Sequence, residues 1–189
     1  MTKVNASVLM DIFNELVLDT DAQDLMLKQF SEFNSKFEPN ADPDLWVTLV
    51  KEEIYEFMDE LLTFGFSTNL LKEYCDIIYT IVGTISLMGD TKFIETDKPE
   101  KLQLELWSLK AQIKEVTNVA WLVFTNDVIS RGFTAVHTSN MSKLDDNGNT
   151  IRREDGKIMK GPNYIEADIQ GLFAVKMHFL NTLKEELRV

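Results

Sequence analysis

Two short acidic clusters, Glu52-Glu53-Ile54-Tyr55-Glu56 and Glu73-Tyr74-Cys75-Asp76, constrain this chain more than any other stretch of it. Residues three apart share one face of a helix, so Glu53 projects with Glu56, and Glu73 with Asp76. Between the clusters, the run from Thr63 to Asn69 carries Gly65 and Asn69, residue types suited to a helix cap and a turn. An antiparallel helical hairpin follows. In such a hairpin Glu53 lies level with Asp76 and Glu56 with Glu73, because both pairs are symmetric about the same midpoint in the sequence. Four carboxylates then face one another.

Like charges held in a partly dry cleft repel unless a cation sits among them. Mg²⁺ suits such a site, with Mn²⁺ as a substitute: it is a hard ion that takes oxygen ligands, keeps several waters and completes its shell with phosphate oxygens. An acidic helix stripe can equally be a solvated face. Apolar stripes run beside the acids, however, with Trp46, Val50, Ile54, Phe57 and Leu61 before the turn and Leu70, Tyr74, Ile77, Ile78, Ile81 and Ile85 after it. The acids therefore border a packed seam. Spacing alone leaves both readings open.

Elsewhere the apolar residues recur at helical intervals. Leu9, Ile12, Phe13 and Leu16 predict a helix from Val8 to Leu18, and Leu25, Met26, Phe30, Phe33 and Phe37 a second from Asp24 to Phe37, with Asp19-Thr20-Asp21 as a cap before it. Prolines at 39 and 43 end that helix, and Asp42-Pro43 reads as the N-cap and first residue of the next. A polar connector runs to Lys98-Pro99. From Glu100 to Phe133 the pattern is one long helix with a single break, its apolar side carrying Leu104, Trp107, Leu109, Ile113, Val116, Val119, Ala120, Val123, Phe124, Val128 and Ile129, enough apolar surface to suggest a partner interface. Gly132 marks a break. Asn147-Gly148 and Asp155-Gly156 are hairpin-turn dipeptides, so a short β-hairpin or ordered loop is expected near residues 143–163. This stretch sets five basic side chains, Lys143, Arg152, Arg153, Lys157 and Lys160, against four acidic ones in a chain of net charge −12. A last amphipathic helix runs from Asp168 to Leu187. The expectation is one all-α domain over residues 1–189, a helical bundle built around the acidic hairpin.

The charge excludes some functions. Phosphate neutralisation by Lys and Arg supplies most nucleic-acid affinity, so a net charge of −12 argues against a nucleic-acid polymer as partner but not against a single nucleotide bridged by a cation. One cysteine, Cys75, allows no intramolecular disulfide and fits a reducing compartment. No apolar run is long enough to cross a membrane, and the N-terminus lacks the pattern of a secretory signal, so the expectation is a cytoplasmic protein. Asp145-Asp146-Asn147-Gly148-Asn149 is not an EF-hand loop, because Thr150 and Gly156 stand where Gly and Glu are needed. A di-iron bundle is disfavoured too, since His137 and His178 are preceded three residues earlier by Thr134 and Val175 rather than by Glu.

Glu-Glu-x-x-Glu followed by Glu-x-x-Asp resembles the signature of the all-α nucleoside triphosphate pyrophosphohydrolases, the MazG-like superfamily that includes dimeric dUTPases and dCTPases. Downstream, the run from Val136 to Leu144 and the run from Arg153 to Tyr164 are similar to the tail of small bacterial and phage members. With Phe30-Ser31-Glu32-Phe33-Asn34 the likeness covers most of residues 24–168, fading between Asp90 and Val119. It implies hydrolysis of a nucleoside triphosphate to the monophosphate and pyrophosphate, on a deoxynucleotide such as dGTP, dCTP or dUTP, in nucleotide-pool control or phage nucleotide metabolism. On that resemblance Glu53, Glu56, Glu73 and Asp76 hold Mg²⁺, and Glu52 or Glu53 accepts a proton from the attacking water. Asn140 and Lys143 match an Asn-x-x-Lys that contacts phosphate or sugar; Lys157, Lys160 and Tyr164 join them, Trp46 walls the base pocket and His137 orients Asn140 or a phosphate, although a lone His near a helix end is more often structural. A homodimer or homotetramer with sites near subunit contacts is implied, in the host cytoplasm if the chain is phage-encoded. The competing reading is a non-catalytic helical module that oligomerises and senses nucleotides.

Overall fold

The computed structural model describes residues 1–172 of the 189. Six helices and one small sheet are named within them: β1 Thr2–Asn5, α1 Val8–Leu16, α2 Thr20–Phe37, α3 Pro43–Phe64, α4 Thr68–Ser86, β2 Phe93–Thr96, α5 Pro99–Val123 and α6 Asn126–Met141. The fold is all-α with a two-stranded antiparallel accessory. Most of the predicted helix from Asp168 to Leu187 lies outside the described residues.

Helix α4 is the axis of the bundle, packing against α1, α2, α3, α5 and α6. Its sequence explains this, since Leu70, Leu71, Tyr74, Cys75, Ile77, Ile78, Ile81, Val82 and Ile85 leave no wholly polar face and are all buried. The polar atoms it carries inside are partnered: the Tyr74 hydroxyl donates to the Leu16 carbonyl at 3.1 Å, and Thr84 to the Thr80 carbonyl at 2.8 Å. Small residues let neighbours close in. A Cβ on Gly83 would lie 2.0 Å from the Trp46 ring, and one on Gly132 would lie 2.8 Å from the Cys75 sulfur.

The hairpin that carries the acids forms as its sequence requires. Asp42 accepts the Asp44 N–H at 2.9 Å with Pro43 opening α3, and Gly65 at φ 69° ends it. Ser67, rather than Asn69, caps α4 by accepting the Leu70 N–H at 3.0 Å. Asn69 lies inside the helix, and its side chain donates to Glu60 at 2.9 Å and to Glu73 at 3.2 Å, tying the tip of the hairpin to the acidic cluster.

Three expectations change. The polar connector before Lys98 contains β2, which pairs with β1 in the register Thr2 to Thr96 and Val4 to Ile94; its partner lies at the far N-terminus, so no local turn announces it. Gly132 does not break a helix but sits inside α6; the break falls at Phe124, which turns inward to lie 6.2 Å from the Tyr74 ring, and Thr125 then caps α6. Helix α5 buries Leu102, Leu106, Leu109, Ile113, Val116 and Val123, whereas Leu104 and Trp107 are 63% and 61% exposed. The segment from 143 to 163 is an ordered loop with a single antiparallel bridge, Arg152 to Ile158, and Gly148 and Gly156 take φ values of 80° and 97° at its turns.

Candidate functional site

The carboxylates converge where the hairpin helices face each other. One oxygen from each of Glu53, Glu73 and Asp76 lies within 4.8 Å of the others. Glu56 does not join them. It stands one turn nearer the tip, rotated away by the helix, and is exposed, although it lines the same cleft and its charge is felt at Glu53 and Glu73. The expected square of acids is therefore a triad with a fourth at its rim.

Burial sets the electrostatics. The Glu53 carboxyl is pushed up to about 8, first by desolvation and then by repulsion from Asp76 and Glu56. Glu73, which is buried, is raised as well, by desolvation that outweighs the attraction of Lys72. Sequence reasoning missed Lys72. Its ammonium donates to Asp76 at 2.8 Å and to the two oxygens of Glu73 at 3.0 and 3.2 Å. Burial opposes that positive charge, but Asp76 and Glu73 more than offset it and hold the ammonium protonated. The signal was present in the sequence, as a Lys four residues before Asp76 on one helix.

Two cavities meet at Glu53 and Asp76, while Glu73 is buried behind them. One, enclosing about 580 Å³ including its mouth, is walled by Phe33, Leu45, Trp46, Leu49, Tyr79 and Ile158. The other, about 770 Å³ measured the same way, sets Glu53, Glu56 and Asp76 opposite Lys143, Lys157, Lys160 and Tyr164. Glu53, Asp76, Asn140, Lys143, Lys157 and Ile158 line both, so an apolar chamber opens directly onto a charged one.

The aromatic chamber is rigidly built. Trp46 donates its indole N–H to the Asn40 carbonyl at 2.8 Å and meets Phe30 edge-on with centroids 5.7 Å apart. Tyr79, also missed from sequence, packs against Phe30, Phe33 and Phe133 at 5.1, 5.6 and 5.2 Å. Its hydroxyl lies 3.2 Å from His137 Nδ1. His137 is buried behind this wall with Nε2 3.6 Å from Glu32, and burial lowers its pKa. It lines neither chamber, so it supports Tyr79 rather than meeting a phosphate.

The loop after α6 roofs both chambers. Asp145 accepts the N–H groups of Asn147 and Asn149 at 2.9 and 2.8 Å, and Arg152 donates to the Phe37 and Glu38 carbonyls at 2.6 and 3.0 Å, where α2 ends. Glu52 latches the loop to α3: its two oxygens accept from Arg153 at 3.2 Å and from Lys157 at 2.5 Å. Desolvation opposes the charge on Glu52, but these two cations outweigh it and hold the carboxyl below its usual range. Glu52 is thus engaged by the loop and stands outside the triad. Among the described residues Lys143 has no such partner. Desolvation lowers its pKa although Asp76 and Glu53 pull the other way, so a half-buried amine faces the triad from across the cleft. Lys160 sits 4.3 Å above the Tyr164 ring at the outer end.

The site residues expected from sequence are therefore brought to one place, Glu56 at the rim and Glu52 behind it. The donor set fits a hard divalent cation: three clustered carboxylates, no nitrogen or sulfur ligand among them, and access from a cleft. No helix among the described residues is long and apolar enough to cross a membrane. No protein-family model, curated protein or solved structure matches the chain.

Proposed function

We propose that this chain is a Mg²⁺-dependent nucleoside triphosphate pyrophosphohydrolase, converting a (d)NTP and water to the (d)NMP and pyrophosphate. The observation that carries the reading is the contact between the two chambers: a pocket walled by aromatic and aliphatic side chains opens onto a cleft lined by both carboxylates and lysines. An apolar ligand alone has no use for the lysines. A bare polyphosphate has no use for the aromatic wall. A nucleotide polyphosphate uses both.

Glu53, Glu73 and Asp76 would hold the cation, with Glu56 within reach at the rim. When bound, Mg²⁺ neutralises phosphoryl oxygens and acidifies a coordinated water. Glu53 is the proton acceptor in this scheme, because Glu52 is occupied by Arg153 and Lys157. Lys143 supplies a point charge for phosphate where the two chambers join, and Lys157, Lys160 and Tyr164 extend that wall. In this reading Trp46 and Tyr79 flank the base and Asn140, in the lining of the same chamber, meets the sugar or the first phosphate. The preference for a deoxynucleotide, a cytoplasmic setting and a role in nucleotide-pool or phage nucleotide metabolism rest on the sequence resemblance. Exposed apolar residues at the hairpin tip, Leu62 at 80% and Phe64 at 70%, support a homodimer or homotetramer.

A panel of canonical and modified nucleoside triphosphates, assayed for pyrophosphate with Mg²⁺ present, tests the proposal. At least one is expected to yield pyrophosphate, with the activity lost in Asp76→Asn. Orthophosphate as the sole first product overturns the reading, and tight binding without turnover across the panel favours the nucleotide-sensing module.

A further inference from the structure

Lys72 and a divalent cation need the same oxygens. The ammonium already satisfies lone pairs on Asp76 and on both oxygens of Glu73, two of the three residues whose carboxylates cluster within 4.8 Å. Among the described residues no other cationic side chain forms an ion pair with Glu53, Glu73 or Asp76. A dication drawn to that cluster meets an ammonium at hydrogen-bond range of its own ligands, and the repulsion is strong at so short a distance.

The side chain also has somewhere to go. It borders the carboxylate cleft on one side and, on the other, a smaller cavity lined by Thr68, Asn69 and Glu166. At 26% exposure and on a flexible four-carbon stem, the ammonium can leave the cleft by rotamer change without moving α4. Glu166 is the acidic side chain in the lining of that cavity.

We propose that Lys72 is a built-in counter-ion that competes with the divalent cation for Glu73 and Asp76, and so sets the concentration at which the site fills. This rests on the dication reading of the cleft. The ammonium keeps the triad converged when no dication is bound, and it weakens binding of the free ion. A dication that arrives with a triphosphate carries extra ligands with it, so it displaces Lys72 more readily than the ion alone. The residue thereby couples metal loading to substrate loading.

Mn²⁺ alone, titrated into the full nucleotide-free chain and followed by the electron paramagnetic resonance of the free ion, provides the test. Lys72→Met is expected to bind Mn²⁺ roughly tenfold or more tightly than the native chain, while Lys72→Arg stays close to it. Without metal, Lys72→Met should also melt at a lower temperature than the native chain and recover on adding Mn²⁺. Lys72→Gln serves the same comparison if the methionine variant does not fold. Unchanged or weaker Mn²⁺ affinity in a folded, uncharged variant overturns the proposal. If the native chain binds Mn²⁺, loses it in Asp76→Asn and yet is unaffected by Lys72→Met, this inference fails and the metal site stands. Absence of Mn²⁺ binding to both native and Lys72→Met protein overturns both.

Discussion

Glu53 and Glu56 differ in a way that their shared spacing hides. Both belong to the same acidic turn, but Glu53 is half-buried within the carboxylate cluster, whereas Glu56 is exposed and lies outside it. Amide substitutions keep the shape and remove the charge, so they separate the two roles. Glu53→Gln should lower turnover by about 100-fold or more, the usual contribution of a proton-transfer group, with the added loss of a cation ligand. Glu56→Gln should chiefly weaken Mg²⁺ dependence, leaving the rate at saturating Mg²⁺ within about tenfold of native. Rates measured across a Mg²⁺ titration check both, and equal losses at saturation would place Glu56 in the cluster after all. Lys72 belongs at this scale too. Its position before Glu73 is plain in the sequence, but only a helix that also packs Glu53 opposite shows that its charge points into the cleft rather than into water.

At the scale of elements, the loop over residues 143–163 is held to the bundle by few but specific contacts. The Arg152 contact closes the end of α2, the turns at Gly148 and Gly156 fix its shape, and Glu52 fastens its basic side chains to α3. Each partly exposed ion pair contributes about 1 kcal/mol or less, so Glu52→Gln should hardly change the melting temperature. It should instead speed amide hydrogen exchange in residues 143–163 several-fold, because the loop opens locally at far lower free energy than the bundle unfolds. Exchange that stays at the native rate would show that the Arg152 contact and the turns suffice. The elements also show what the chain made legible. Asp42-Pro43, Gly65 and the two acidic clusters defined the α3–α4 hairpin correctly, since caps and periodicity act locally. What escaped was nonlocal. The β1–β2 pair joins residues near position 3 to residues near 95, Gly132 owes its place to the Cys75 sulfur on another helix, and Leu104 and Trp107 face out because α1 and α3 claim the other side of α5. Tyr79 carries no local signal that singles it out, and its place in the aromatic chamber became visible only when α2, α3 and α6 closed around it.

For the whole molecule, the carboxylate cluster ties folding to pH and, on the proposed function, to the cation. Glu53 has an ordinary pKa of 4.5 and a folded-state value of about 8, so the fold favours its protonated form. The sign follows: the stability this group lends is complete below about pH 4.5 and is lost as the pH rises through about 8. Glu73, raised in the same direction, reinforces the trend. A bound dication reverses it by taking the place of the proton. Mg²⁺ should therefore raise the melting temperature little at about pH 5 and progressively more toward about pH 8, its affinity growing close to tenfold per pH unit while one proton is released per ion. The Mg²⁺-induced increment is the quantity to follow, because it separates the cluster from His137, whose lowered pKa removes stability as the pH falls, and from Glu52, which acts in that same acid-side sense. In Glu53→Gln the increment should lose most of its pH dependence, leaving the smaller part due to Glu73. Melting curves at fixed Mg²⁺ across this range decide the matter: an increment that is flat in the native chain would mean that no proton leaves Glu53 when the cation binds, and the cluster would then not be the place where the ion sits.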